Sequence, residues 1–305
     1  MRLFDESALR RLEQLTLAAE SVRVGVMKGD RRSRKRGTSI EFADYRDYAQ
    51  GDDLRRLDWN VFARLDRPFI KLTEEAEDLA VHILVDSSDS MNWPRAGEAA
   101  ETNKLVYALQ LAGALGSIGL LSGDLVTAML LDSGGRRAWG PFRGRANNWP
   151  LLQFLEANYE MLTAEEGAAR GTTLDLSLRD YALRARRPGL LFLISDLFSR
   201  GDYRAGLSAI LARGYEVALL HVLSPDEIAP DLAGDLRLLD VESSEATEIT
   251  IDPATLEAYA EVVEAWRREI DGFCAPRGVH YVPIDTATPW DTVIWQMLRR
   301  QGVVR

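Results

Sequence analysis

Asp86, Ser88 and Ser90 stand at alternate positions directly after an apolar run, in the stretch Val81-His-Ile-Leu-Val-Asp-Ser-Ser-Asp-Ser-Met91. One carboxylate and two hydroxyls from a single tight loop form a hard oxygen donor set. Such a set suits a divalent cation of the magnesium kind, not zinc or copper. Magnesium commonly takes one or two carboxylates from a protein and keeps several waters. The apolar run reads as a buried strand covered on both faces, as in a parallel sheet flanked by helices. Its carboxyl end is where ligands gather in open α/β sheets. Asp and Ser after a strand are also ordinary turn formers and helix N-caps, so the loop alone is not diagnostic.

The spacing Asp-x-Ser-x-Ser after an apolar strand resembles the metal-ion-dependent adhesion site of von Willebrand factor A domains. That resemblance calls for a threonine in a loop before a helix and an aspartate ending a second buried strand. Residues 171–178 read Gly-Thr-Thr-Leu-Asp-Leu-Ser-Leu, and residues 190–196 read Leu-Leu-Phe-Leu-Ile-Ser-Asp. By resemblance, Asp86, Ser88, Ser90 and a threonine reach a Mg2+ or Mn2+ ion, and Asp196 acts directly or through water. Thr172 matches the family spacing better than Thr173, and both stay open as the ligand. Asp89 departs from the commonest pattern; it either adds charge near the ion or is solvated.

A second resemblance lies upstream. Tyr45-Arg46, Gly51-Asp52-Asp53, Arg55, Asp58-Trp59 and Ala63-Arg64, followed by the Asp86 loop, are similar to the bacterial domain-of-unknown-function family number fifty-eight. The resemblance runs from about residue 20 to the C-terminus. It implies a von Willebrand A-like fold and association with MoxR-type AAA+ ATPases, so the expected partner is such an ATPase or its client. Read from the residues alone, Gly51 turns the chain, and Asp52 or Asp53 caps a short helix through Leu54 and Leu57. Arg46, Arg55, Asp58 and Arg64 then form a charged clasp, a structural role before a catalytic one.

The elements that must position these residues follow from periodicity. Leu12, Leu15, Ala19 and Val22 predict an amphipathic helix over 4–24, and residues 68–73 an extra strand. Residues 105–121 approach a membrane span in length and apolarity. Their glycines, Gln110 and Ser117 instead suit a crossover helix packed on a sheet. Strands are predicted at Leu125–Asp132, Arg136–Phe142, Glu216–Leu223 and His280–Ile284, and helices at Trp149–Tyr159, Leu174–Arg186 and Tyr203–Arg213. Residues 236–251 read as a hairpin at a sheet edge. Asp252-Pro253 opens a helix whose stripe is Leu256, Tyr259, Val263, Trp266, Ile270 and Phe273. Thr288-Pro-Trp-Asp291 resembles a capping box before a C-terminal helix.

The expected fold is therefore α/β, a doubly wound, mostly parallel sheet of von Willebrand A (Rossmann-like) type with an N-terminal helix and strand extension. The extension occupies 1–78 and the main domain 79–305, with the hairpin as an insertion.

A net charge of -10 and a pI near 5.0 argue against nucleic acid or an anionic membrane as the main partner. The basic run Lys28–Arg36 is the local exception; it reads either as a nucleic-acid arm or, in better accord with the net charge, as a solvated loop contacting an acidic face of this protein or its partner. A single cysteine, Cys274, permits no internal disulfide. With acids close to Met1 and no following apolar block, no secretory signal is read, and a cytoplasmic location without a membrane segment is expected. Two function classes remain, a metal-dependent protein-binding module and a metal-dependent hydrolase or phosphotransferase using the same carboxylates. Binding is favoured. His82, His221 and His280 fall in predicted strands as core residues, Ser88 stands where an aspartyl phosphatase wants a second aspartate, and no Walker A, Gly-x-Ser-x-Gly or zinc-ligand spacing occurs.

Overall fold

The computed structural model describes residues 12, 15–19, 40–48, 57, 59–75, 79–94, 102–132, 135–164, 173–184, 187–199, 201–239 and 246–305. The chain divides into two compact units, Gly25–Asp78 and the rest. In the smaller unit, β1 (Ile40–Asp47) and β2 (Phe69–Glu75) pair antiparallel, with helix α1 (Trp59–Leu65) between them in sequence. The strand expected at 68–73 is β2. The helix expected from Asp52 or Asp53 through Leu57 lies, apart from Leu57 itself, outside the described residues. Gly51, Asp52, Asp53, Arg55 and Asp58, like the basic run 28–36, lie outside the described residues.

The larger unit is built on a six-stranded sheet. It comprises β3 (Ala80–Asp86), β4 (Leu125–Asp132), β5 (Gly135–Arg143), β6 (Leu190–Ser195), β7 (Glu216–Leu223) and β10 (His280–Asp285), in the order β10-β7-β6-β3-β4-β5. All neighbours are parallel except β4 and β5. Successive residues of a strand point to opposite faces, and both faces here are covered. Val81, Ile83, Val85, Phe192 and Ile194 pack against α2 (Lys104–Ser122) and α3 (Asn148–Ala164) on one side. On the other, Leu84, Leu191, Leu193 and Leu219 meet α4 (Leu174–Arg184), α5 (Tyr203–Ala212) and α7 (Pro253–Cys274). Burial on both faces explains why β3, β6 and β7 are continuous apolar runs. The fold is a doubly wound α/β domain, as the sequence predicts.

Helix α2 is long and apolar enough to cross a membrane, yet nearly all of its residues are buried inside the unit. Its glycines serve close packing, since a Cβ on Gly116 would collide with Leu151 of α3. The helix starts on an Asn103 side chain that accepts from the Val106 amide and stops on Gly123 in the left-handed region.

Several expectations need correction. Residues 15–19 are not helical. Leu17 bridges Val304, Thr16 donates to the Arg305 carbonyl at 3.0 Å and accepts from the Arg305 amide at 2.9 Å. Leu12, Leu15, Leu17 and Ala19 are buried in the sheet unit's core. The expected 1–78 extension is thus divided, with this segment belonging to the unit that contains Leu79–Arg305. Leu15, Leu17 and Ala19 also satisfy a period of two, and backbone pairing with the C-terminus decides between the two periods. The hairpin β8 (Gly234–Leu239) and β9 (Ala246–Ile251) forms its own two-stranded sheet instead of extending the main one. Finally, Pro289 and not Thr288 caps the C-terminal helical segment, and the Thr288 carbonyl instead accepts from the Tyr107 hydroxyl at 2.6 Å.

The histidines of β3 and β7 are core residues, as read from the sequence. His82 bonds the Tyr181 hydroxyl through Nδ1 at 2.6 Å, edge-on to Tyr181 and Tyr215. Burial pulls its imidazole down to about 4. The unfolded ring titrates near 6.5, so between about 6.5 and 4 the unfolded chain binds the extra proton. The stability that the neutral ring contributes above pH 6.5 is lost as pH falls through this window, by about 3 kcal/mol. We expect His82→Gln to remove that share of the acid sensitivity. Urea unfolding of both proteins between pH 7 and pH 4 checks it, and parallel stability profiles would refute it.

Candidate functional site

The chain runs outward from β3 to β4 and β5, then returns to β6 on the other side of β3. The carboxyl ends of β3 and β6 therefore flank the point where strand order reverses, which in open α/β sheets is a ligand crevice. The register sets Val85 opposite Ile194 and so brings Asp86 beside Ser195.

Asp86 is fully buried. Its Oδ1 accepts from the Ser88 amide at 3.0 Å, and its Oδ2 accepts from the Ser195 hydroxyl at 2.7 Å. Ser195 Oγ in turn accepts from the Leu197 amide at 2.9 Å. Leu197 holds a positive φ of 59°, a strained conformation for a leucine, which turns the chain sharply after Asp196. Ser88 and Ser90 lie on one side of the loop, their hydroxyls 3.0 Å apart. Ser87 faces the other way, its hydroxyl and amide both donating to the Leu131 carbonyl at 3.0 Å and so pinning the loop to β4. Asn103 closes the loop's far side by donating to Asn92 Oδ1 and the Pro94 carbonyl, each at 3.0 Å.

Asp196 is also fully buried. Its Oδ1 accepts from the Phe198 amide at 3.0 Å, and its carbonyl lies 3.1 Å from His221 Nε2. The Tyr281 hydroxyl, 2.9 Å from His221 Nδ1, completes that ring's partners, so Nε2–H is the donor to Asp196. The remaining oxygen, Oδ2, accepts from the ammonium of Lys104 at 2.6 Å. The same Nζ lies 2.6 Å from Glu227 Oε1, and Glu227 Oε2 accepts from the Ser224 amide at 2.9 Å. Lys104 is fully buried, with the face of Phe198 4.9 Å from its Nζ.

The structure thus brings together Asp86, Ser88, Ser90 and Asp196. Thr172 lies outside the described residues. Thr173 is exposed, and its carbonyl serves the Ser177 amide at the start of α4. Lys104 and Glu227 are the members that sequence reasoning missed. One signal was available: Lys104 is the only charged residue of 104–122 and opens a helix, the end at which the helix dipole disfavours a cation. A cation placed there needs a compensating partner.

Burial and the neighbouring Asp196 charge push the Asp86 carboxyl up to about 6, against the hydrogen bonds from Ser195 and Ser88. The Lys104 ammonium pairs with Asp196 and Glu227, and the Asp86 carboxylate lies near that of Asp196. With these carboxylates ionised, the described acids carry more charge than the Lys104 ammonium offsets, a surplus that a divalent cation would reduce. Among the described residues no three His, Cys, Asp or Glu side chains converge as a metal-binding group. A divalent ion at this loop would have to draw on the Ser88 and Ser90 hydroxyls and on water beside Asp86, a donor set suited to magnesium or manganese.

Residues 44–269 match the family described as Protein of unknown function DUF58, a stretch that contains the whole cluster. Uncharacterized proteins of Mycobacterium bovis and Mycobacterium tuberculosis are each 28% identical over 302 residues, covering 98% of this chain and 90% of theirs. Among solved structures, the conserved hypothetical protein BatB from Bacteroides thetaiotaomicron is similar at 18% identity and a TM-score of 0.44, covering 73% of this chain and 98% of that one. An aerotolerance-related membrane protein from Bacteroides fragilis is similar at 16% identity and a TM-score of 0.42, covering 72% and 99%. By the extent of the family match, three-quarters of its length, this chain belongs to the DUF58 family.

Proposed function

We propose that the chain is a divalent-cation-dependent protein-binding module with a von Willebrand factor A-like site, acting as an adaptor of a MoxR-type AAA+ ATPase or of that ATPase's client. The observation that carries this reading is the convergence of Asp86, Ser88 and Ser90 with Asp196 where strand order reverses. Mg2+ or Mn2+ would be held by Asp86, Ser88 and Ser90, with Thr172 added by resemblance and Asp196 reached directly or through water. When bound, the ion supplies a position at which an anionic oxygen of the partner replaces water.

The chain's own residues supply the rest. Asp86 is held in one orientation by Ser88 and Ser195, and the loop is tied down by Ser87 and Asn103. Phe198 and Trp93, both partly exposed, flank the polar cluster in sequence and offer apolar surface for a docking protein. The hydrolase reading finds no free imidazole beside the site among the described residues. His221 has both nitrogens engaged, with Tyr281 and the Asp196 carbonyl, and is buried.

A pull-down of the MoxR-type ATPase tests the proposal. Capture in Mg2+ is expected to fall about tenfold or more in chelator and with Asp86→Ala, as loss of a metal or of its ligand commonly produces. Circular dichroism confirms folding. Undiminished capture under both conditions would mean that the partner reads another surface, with the Tyr45–Arg64 block the next to be tested.

A further inference from the structure

We infer that Lys104 is the internal counter-cation of this site, a positioning residue that carries part of the charge a metal would otherwise supply and so sets divalent-ion affinity low enough for exchange. The inference rests on the site reading above. Its ground is the geometry of Nζ, 2.6 Å from Asp196 Oδ2 and 2.6 Å from Glu227 Oε1. The side chain is without solvent exposure, and the Phe198 ring lies 4.9 Å from Nζ.

A lysine is rarely buried, and burial of its charge is tolerated only with paired and hydrogen-bonded partners. Here the partners come from two different loops that follow β6 and β7. Asp196 begins the first, and Glu227 belongs to the short helix α6 (Pro225–Ile228), whose start it also caps by accepting from the Ser224 amide. The ammonium therefore fixes Asp196 Oδ2 while the Phe198 amide fixes Oδ1. Asp196 is steered toward a water-mediated role, and Asp86 is left as the carboxylate free to meet an ion directly.

Electrostatics gives this arrangement a sign. A fixed positive charge on the Asp196 carboxylate repels a divalent cation at the same cluster, and in a buried setting that repulsion is only weakly screened. Removing the ammonium should tighten ion binding, although it deletes a polar group that packs beside the site. Removing the Glu227 carboxylate should do the opposite, because it strips negative charge from the cluster and leaves Lys104 wholly to Asp196. A merely structural lysine predicts no such opposed pair.

The test is calorimetric titration with MnCl2 of wild type, Lys104→Met, Glu227→Gln and Asp86→Ala, with thermal melts in chelator and in MnCl2. Lys104→Met is expected to melt below wild type in chelator, to gain more from MnCl2, and to bind the ion roughly tenfold tighter or more. Glu227→Gln, at a side chain that reaches solvent, is expected to bind several-fold more weakly, the loss of one unit charge that is largely screened by that solvent. Equal or weaker binding by Lys104→Met, with Asp86→Ala still abolishing it, would overturn the inference and leave the site standing. If Lys104→Met fails to fold even in MnCl2, Glu227→Gln decides, and unchanged or tighter binding there overturns the inference. Wild type that binds no ion, or binds it equally with Asp86→Ala, overturns the site reading and this inference together.

Discussion

Asp86→Ala is expected to lower the affinity for Mg2+ and Mn2+ by more than about 100-fold, beyond the 10–100-fold that follows loss of an outer-sphere partner. Of the Asp86 and Asp196 carboxylates, Asp86 is the one whose oxygens are not claimed by the Lys104 ammonium. Both oxygens accept hydrogen bonds, from Ser88 and Ser195, but each retains a further lone pair. Asp86→Asn separates charge from geometry. It keeps an oxygen to receive the Ser88 amide while losing the negative charge that attracts the cation. Because the native carboxylate is buried beside the Asp196 carboxylate, Asp86→Asn in chelator should be at least as stable as wild type, yet gain nothing from added ion. Calorimetry and thermal melts with and without ion read both quantities. Equal ion binding by wild type and Asp86→Ala would remove Asp86 from the site.

Phe192→Ala is expected to cost about 3–5 kcal/mol of folding stability, the range for removing an aromatic ring from a packed core. Phe192 lies in β6, between β3 and β7, without solvent exposure, and belongs to the cluster beneath α2. Against a typical total of roughly 5–15 kcal/mol, that loss consumes a large share of the stability. Six residues on, Phe198 is 43% exposed and stacks on Trp266, so the same truncation there should cost far less. Urea denaturation of the two variants makes the comparison. A Phe192→Ala loss no greater than that of Phe198→Ala would contradict the buried central position of β6.

What the sequence by itself determined is what local pattern encodes. The apolar runs ending in Asp86 and Asp196 identified β3 and β6 because strands buried on both faces carry no polar alternation. The Asp86, Ser88 and Ser90 loop was readable because oxygen side chains follow directly on an apolar run, at the strand end where α/β sheets gather ligands. β4 and β7 followed from similar runs, β5 was read as the neighbour of β4, and the alternation of strands and helices fixed the fold class.

Tertiary structure alone decided the rest. That β6 lies beside β3 depends on the order in which the strands assemble, and only this order brings Asp86 next to Ser195 and Asp196. Leu15, Leu17 and Ala19 fitted a helix as well as a strand, and pairing with residues 303–305 made them extended. The hairpin 234–251 gave its turn and pairing in sequence, but whether it joins the main sheet is a matter of which edge it meets. Lys104 was hidden most completely. Its partners Asp196 and Glu227 lie 92 and 123 residues away, and no local rule of spacing or propensity reports an ion pair between a helix start and two distant loops.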